Sequence, residues 1–136
     1  MNSESSARPD RRAHIAKLGE DLAADFIRDL GWVVLVRNWR CRYGELDLIA
    51  VDPRGAQRLL VVVEVKTRAS HVFADPVAAV TPHKLSRMRT LTRLWLASQE
   101  QFWPQIRFDV VSIQLDSRYP ERIELASVRH HAGVFE

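Results

Sequence analysis

The stretch RLLVVVEVKTR, residues 58–68, constrains the fold more than any other. Its β-branched run reads as a strand. Side chains alternate along a strand, so Leu59, Val61, Val63 and Val65 share one face, and Leu60, Val62, Glu64 and Lys66 the other. Apolar residues on both faces imply cover on both sides, as in the middle of an α/β sheet. An acid and a base then emerge together near the strand's end. A strand buried that deeply carries charge where it reaches a cleft.

The neighbouring segments supply the cover. HIAKLGEDLAADFIRDLG, residues 14–31, reads as a helix: Ile15, Leu18, Leu22, Phe26 and Leu30 recur at three- and four-residue steps, and Gly31 marks the stop. WVVLVRNW (32–39) and the alternating ELDLIAVD (45–52) read as two strands. PRGAQ (53–57) is turn material, which makes 45–52 and 58–68 an antiparallel hairpin. After an irregular connection over 69–80, Thr81-Pro82 predicts an N-cap with proline in the first turn. That helix is expected to run to about Ser98, with Leu85, Met88, Leu91 and Trp95 inward. QIRFDVVSIQL (105–115) and RIELAS (122–127) complete the strands. The expected class is α/β, a mixed central sheet flanked by helices in the order α-β-β-β-α-β-β. One domain is expected over 13–127, between tails at 1–12 and 128–136.

Composition narrows the setting. The 136 residues are 46% hydrophobic, enough for a single core. No apolar run reaches the roughly 18 residues of a membrane helix, and no secretory leader is apparent. Cys41 is the only cysteine, which excludes an intrachain disulfide and a Cys-based zinc site. A cytoplasmic location is expected. A net charge of +3 permits nucleic-acid binding without requiring it.

On 45–52, Glu45, Asp47 and Ile49 share one face, with Leu46, Leu48 and Ala50 on the other. If the hairpin aligns Asp47 with Glu64, two carboxylates converge beside Lys66. Two carboxylates and the Val65 carbonyl between Glu64 and Lys66 can hold a hard divalent cation. Such a cation polarises a phosphodiester and acidifies a bound water, and the ammonium can orient that water or offset charge on phosphorus. The same residues also fit a plainer arrangement, a solvent-facing cross-strand charge cluster worth little to stability.

RNWRCRYGELDLIA, VVVEVKTR, AVTPHKLSRM and RFDVV together strongly resemble the YraN-like family of uncharacterised bacterial proteins, over about residues 13–115. That family looks like a small member of the PD-(D/E)xK nuclease-like, restriction endonuclease-like fold, similar to archaeal Holliday junction resolvases. The resemblance implies a metal-dependent nuclease acting on DNA by phosphodiester hydrolysis, on branched or processed structures, with Mg²⁺ or Mn²⁺ as cofactor and a homodimer as the working form. It assigns Glu20, Asp47, Glu64 and Lys66 to catalysis, and Glu20, Asp47, Glu64 and the Val65 carbonyl to the metal. Helical position alone does not single out Glu20, which otherwise reads as a boundary acid of the first helix. The chain departs from the family pattern at Ala74, where a glycine is expected, and at Leu85, where a glutamine is usual.

Arg37, Arg40 and Arg42 flank the loop into GELD, and Lys84 and Arg87 are neighbours on the second helix. All five are candidate phosphate contacts that position a duplex without reading its bases. Trp32, Trp39, Trp95 and Trp103 read as packing residues, and none of the five histidines has metal spacing. The alternative function is a non-catalytic module that binds nucleic acid or an anionic protein with the same basic surface.

Overall fold

The computed structural model describes residues 4–70 and 80–134. The elements are α1 (Glu4–Asp29), β1 (Val33–Cys41), β2 (Gly44–Asp52), β3 (Leu59–Arg68), α2 (Pro82–Ala97), β4 (Gln105–Gln114), a 3₁₀ turn (Ile123–Leu125) and β5 (Ser127–His131). The strands form one sheet in the order β1-β2-β3-β4-β5. β1, β2 and β3 are successively antiparallel, β3 and β4 are parallel, and β5 is antiparallel to β4. The parallel pair is joined through α2, as a crossover connection requires. The expected mixed α/β sheet with this element order is therefore present.

β3 sits at the centre, and Leu60, Val61, Val62 and Val63 are buried on both faces. Val61 and Val63 join Leu48, Ala50, Val111 and Ile113 under α1. Leu60 and Val62 join Ile49, Val51 and Val110 under α2, with Met88, Leu91 and Trp95 from the helix. Leu85, expected inward, is half-buried. Leu46 packs with the α2 layer rather than beside Leu48, so the strict alternation expected along β2 fails at its first turn of pleat. Thr81 caps α2 as expected, its hydroxyl accepting from the Lys84 N–H at 3.2 Å.

Both expected tails carry structure. α1 begins at Glu4 rather than near residue 14. Asp10 to His14 are exposed, so this part of the helix shows no apolar stripe, the pattern that periodicity detects. The fifth strand lies at 127–131 rather than 122–127, and takes in part of the expected 128–136 tail. Ile123 and Leu125, which made 122–127 look like a strand, are 49% and 47% exposed in the 3₁₀ turn. β5 is an edge strand, so only one of its faces has to be apolar. The irregular connection expected over 69–80 falls mostly outside the described residues.

The deepest contacts of α1 come from small residues, Ala23 and Ala24, with Ile27, while the large residues of the expected stripe lie at its margins. Gly19 shows how close helix and sheet are: a Cβ there would lie 1.8 Å from Thr67 Oγ1 and 2.7 Å from Thr67 Cβ. Gly19→Ala gains about 1 kcal/mol of helix propensity. Overpacking costs about 1–3 kcal/mol, occasionally more, and here it wins, because no rotamer of Thr67 removes the clash with its Cβ. A net destabilisation of roughly 2 kcal/mol is expected, read as a lowered urea midpoint. Adding Thr67→Ala should recover only part of it.

Candidate functional site

The site is made where two strands part. β2 and β3 are paired from Asp52↔Leu59 to Leu48↔Val63, and the pairing stops there. β2 continues beside β1 to Gly44, while β3 continues beside β4 to Arg68. One step past the last pair, Asp47 and Glu64 face each other across the widening gap. Asp47 bridges it with its side chain: Oδ2 accepts the Val65 N–H at 2.8 Å. A carboxylate thus takes over the donor that the departing strand would have satisfied.

The gap opens into a cleft of about 300 Å³ lined by Glu45, Asp47 and Glu64 from the sheet and by Lys84, Arg87 and Met88 from α2. The Asp47 carboxyl rises from its ordinary 3.8 to about 7. Burial is the largest cause and the charge of Glu64 the next, with Glu20 and Glu45 adding to it against the lowering effect of the Val65 hydrogen bond. Lys66 Nζ lies 3.3 Å from Glu64 Oε1, both side chains about one quarter exposed. Lys84 is held below its ordinary value by the Lys66 ammonium, which can donate to an uncharged Lys84 amine and repels a charged one. Asp47, Glu64 and Lys84 thus line the recess with Lys66 at its border, each sign crowded against its own kind. Crowding of that sort is relieved when a cation meets the acids and an anion meets the ammonium groups.

The expected residues divide into those brought together and those held apart. Asp47, Glu64, Lys66 and Lys84 meet. Glu20 comes from the α1 side, where its Oε2 accepts from Asn38 Nδ2 at 3.1 Å, and it reaches Asp47 through its field. The third acid lining the cleft is Glu45, paired with Arg40 at 2.9 Å. Among the described residues, no three His, Cys, Asp or Glu side chains are gathered closely enough to cage a metal. Val65 meets the site through its N–H.

The arginines do not form one cluster. Arg37 is bound to Asp21 at 2.6 Å, Arg40 to Glu45, and Arg42 lies over the Tyr43 ring at 5.2 Å. Arg87 donates to the Tyr43 carbonyl at 3.1 Å and so ties α2 to the β1–β2 turn. Arg87 also packs against Gly44, whose φ of +146° and close approach to the guanidinium favour glycine there.

Sequence reasoning missed Asn38. It falls between the paired Arg37 and Trp39, opposite Asp47, with φ at +52°. Asparagine tolerates that left-handed conformation, and an asparagine inside an otherwise β-branched and aromatic strand was the available clue. The kink turns its amide toward Glu20 and couples α1 to β1, the strand paired with the one that carries Asp47.

Residues 19–113 match the family described as Uncharacterised protein family UPF0102. A UPF0102 protein of Mycobacterium sp. (strain JLS) is 50% identical over 123 residues, covering 90% of this chain and 86% of that protein. One of Mycolicibacterium gilvum is 46% identical, covering 89% and 98% respectively. One of Mycobacterium tuberculosis (strain ATCC 25177 / H37Ra) is 43% identical, covering 86% and 93%. The matched span contains Glu20, Asp47, Glu64, Lys66 and Lys84, and on these grounds the chain belongs to the UPF0102 family.

Proposed function

We propose that this protein is a metal-dependent nuclease of the PD-(D/E)xK, restriction endonuclease-like kind that hydrolyses phosphodiesters in DNA. One observation carries the reading: Asp47 and Glu64 stand opposite each other at the parting of two central strands, with Lys66 and Lys84 beside them. Burial, with the charge of Glu64 beside it, lifts the Asp47 carboxyl from 3.8 to about 7, which favours this reading over a solvent-facing charge cluster.

The donor set fits Mg²⁺ or Mn²⁺. Magnesium is commonly held by one or two carboxylates together with substrate phosphates, so Asp47 and Glu64 suffice without a third acid. Burial does most to lift Asp47, and the negative charge of Glu64 that adds to it is what such a cation offsets. When bound, the metal polarises the phosphodiester and acidifies a water. Asp47 and Glu64 hold it, and the Val65 N–H fixes the Asp47 carboxylate. Lys66 orients the attacking water or offsets charge on phosphorus, and Lys84 binds a non-bridging phosphate oxygen. A homodimer belongs to this proposal, because cutting two strands at related points takes two such sites.

Calorimetric titration with Mn²⁺, in the absence and presence of a duplex or a four-way junction, tests it. Wild-type protein should bind the metal, and folded Asp47→Ala/Glu64→Ala should not. Cleavage of one of the DNAs should follow the same pattern. Equal absence of metal binding in both proteins with DNA present sinks the nuclease reading and leaves the non-catalytic binding module.

A further inference from the structure

β5 brings a residue to the candidate site that no motif marks. In the paired register Lys66 lies beside Ser112 on β4, and Ser112 lies opposite Arg129 on β5. Residues paired across neighbouring strands share a face, so these three form one row across the sheet. The row directly below it runs from Glu64 to Val110 to His131. The face is fixed independently. His130, the next residue along β5, packs edge-on against Phe26 and Trp32 on the α1 side, with ring centroids 5.9 and 5.4 Å away. Alternation then puts Arg129 on the opposite face, that of Glu64 and Lys66.

Arg129 is exposed and makes no ion pair among the described residues, in contrast to Arg37, Arg40 and Arg107. The hydroxyl of Ser112, between Arg129 and Lys66, likewise has no partner among the described residues. Strands lie about 4.8 Å apart, so the row spans about 10 Å from Lys66 to Arg129. Charges on one strand of B-form DNA recur about every 3.4 Å of helix axis, and successive phosphates lie further apart than that along the strand itself, so the row reaches from one phosphate to about one or two beyond it. With Lys84 against Lys66 at the inner end, the row presents cations at both ends and a neutral donor between them.

We infer that Lys66, Ser112 and Arg129 form a track for the sugar-phosphate backbone, leading from the candidate metal site outward over β4 and β5, with Arg129 holding a phosphate about one or two nucleotides from the one cut. This rests on the nuclease reading and adds the direction in which the substrate strand leaves the cleft. Arg129 positions substrate; it takes no part in the chemistry.

The test is fluorescence anisotropy of a labelled DNA duplex against salt concentration, in EDTA and again in Mg²⁺. Arg129→Ala should weaken binding roughly five- to tenfold near physiological salt and flatten the log–log salt slope by about 0.9, the share of one phosphate. Arg129→Lys should keep the slope. Arg28→Ala, at the far end of α1, should change neither quantity. An Arg129→Ala protein with wild-type affinity and slope overturns the track and leaves the nuclease reading standing. Equal losses in Arg28→Ala also overturn it, since they report net charge alone. If polyglutamate binds as tightly as DNA with the same dependence on Arg129, the surface is for an acidic protein, and the track is likewise overturned. Wild-type protein that binds DNA in neither buffer removes the inference and the nuclease reading together.

Discussion

Asp47→Asn is expected to reduce the proposed DNA cleavage by at least about 100-fold while making the metal-free protein more stable at pH 8. Loss of a partner that merely orients a metal ligand costs about 10–100-fold, and loss of a ligand itself costs at least the upper end of that range. The stability gain has a separate origin. A carboxyl raised from 3.8 to about 7 in the fold binds its proton more tightly there than in the unfolded chain. Between those values the folded state holds more protons, so stability falls as pH rises from about 4 to 7. Three units at 1.36 kcal/mol each set an upper bound of about 4 kcal/mol, and water reaching the open cleft reduces this to roughly 2. Asparagine keeps an oxygen for the Val65 N–H and carries no charge. The variant should therefore melt roughly 5–10 °C higher than wild type at pH 8 in EDTA, with little difference at pH 4. Added Mn²⁺ should raise the wild-type melting temperature and leave that of the variant unmoved. A variant equal to wild type at both pH values would show that Asp47 carries no buried charge.

Asp109→Ala should be among the most damaging single changes to stability, at about 3 kcal/mol or more. Asp109 is fully buried on β4, yet every direction around it is answered. Arg107 donates from Nε and Nη2 at 2.8 Å each, Gly133 N–H donates at 2.9 Å, and His130 Nε2 lies at 2.7 Å. Burial pushes its carboxyl up, but His130, Arg107 and Gly133 outweigh burial and hold it below the ordinary range. Removing the carboxylate takes a two-pronged acceptor away from Arg107 and leaves the Gly133 N–H without its own. Arg107, whose side chain is 22% exposed, reaches some water, which keeps the cost toward the lower end of the 3–5 kcal/mol for a broken buried pair. The pH signature is opposite to that of Asp47. A lowered carboxyl contributes stability that is present above about 3.9 and lost as pH falls through the folded value. Acid unfolding monitored by tryptophan fluorescence should therefore lose its steep low-pH limb in Asp109→Asn, whereas Asp47→Asn should remove the decline between pH 4 and 7. Since Asp109 anchors the strand that carries Arg129, the alanine variant should also loosen β5, read as faster amide exchange at Val128 and His130.

What could be read from the chain alone was whatever repeats at a short period. The double-faced apolar run Leu59–Val63 identified the central strand, and Thr81-Pro82 identified the start of α2, because burial on both faces and N-terminal capping are local requirements. The turn at 53–57 made a hairpin of β2 and β3, and with it the meeting of Asp47 and Glu64. Tertiary structure decided what depends on distance. Gly19 looks like a flaw in a helix until Thr67 is seen against it. The resemblance assigns Glu20 to the site, and the fold sets it on the α1 side, bonded to Asn38 and sharing a neighbouring pocket with Val65 and Lys66, while Glu45 lines the cleft. SVRHH shows no strand alternation strong enough to separate it from a tail, and it becomes β5 because the free edge of β4 offers a ladder and Asp109 offers His130 a partner. The arginines near GELD were legible as charges, but not as the partners of Asp21 and Glu45, because an ion pair forms between side chains that only the fold brings within reach.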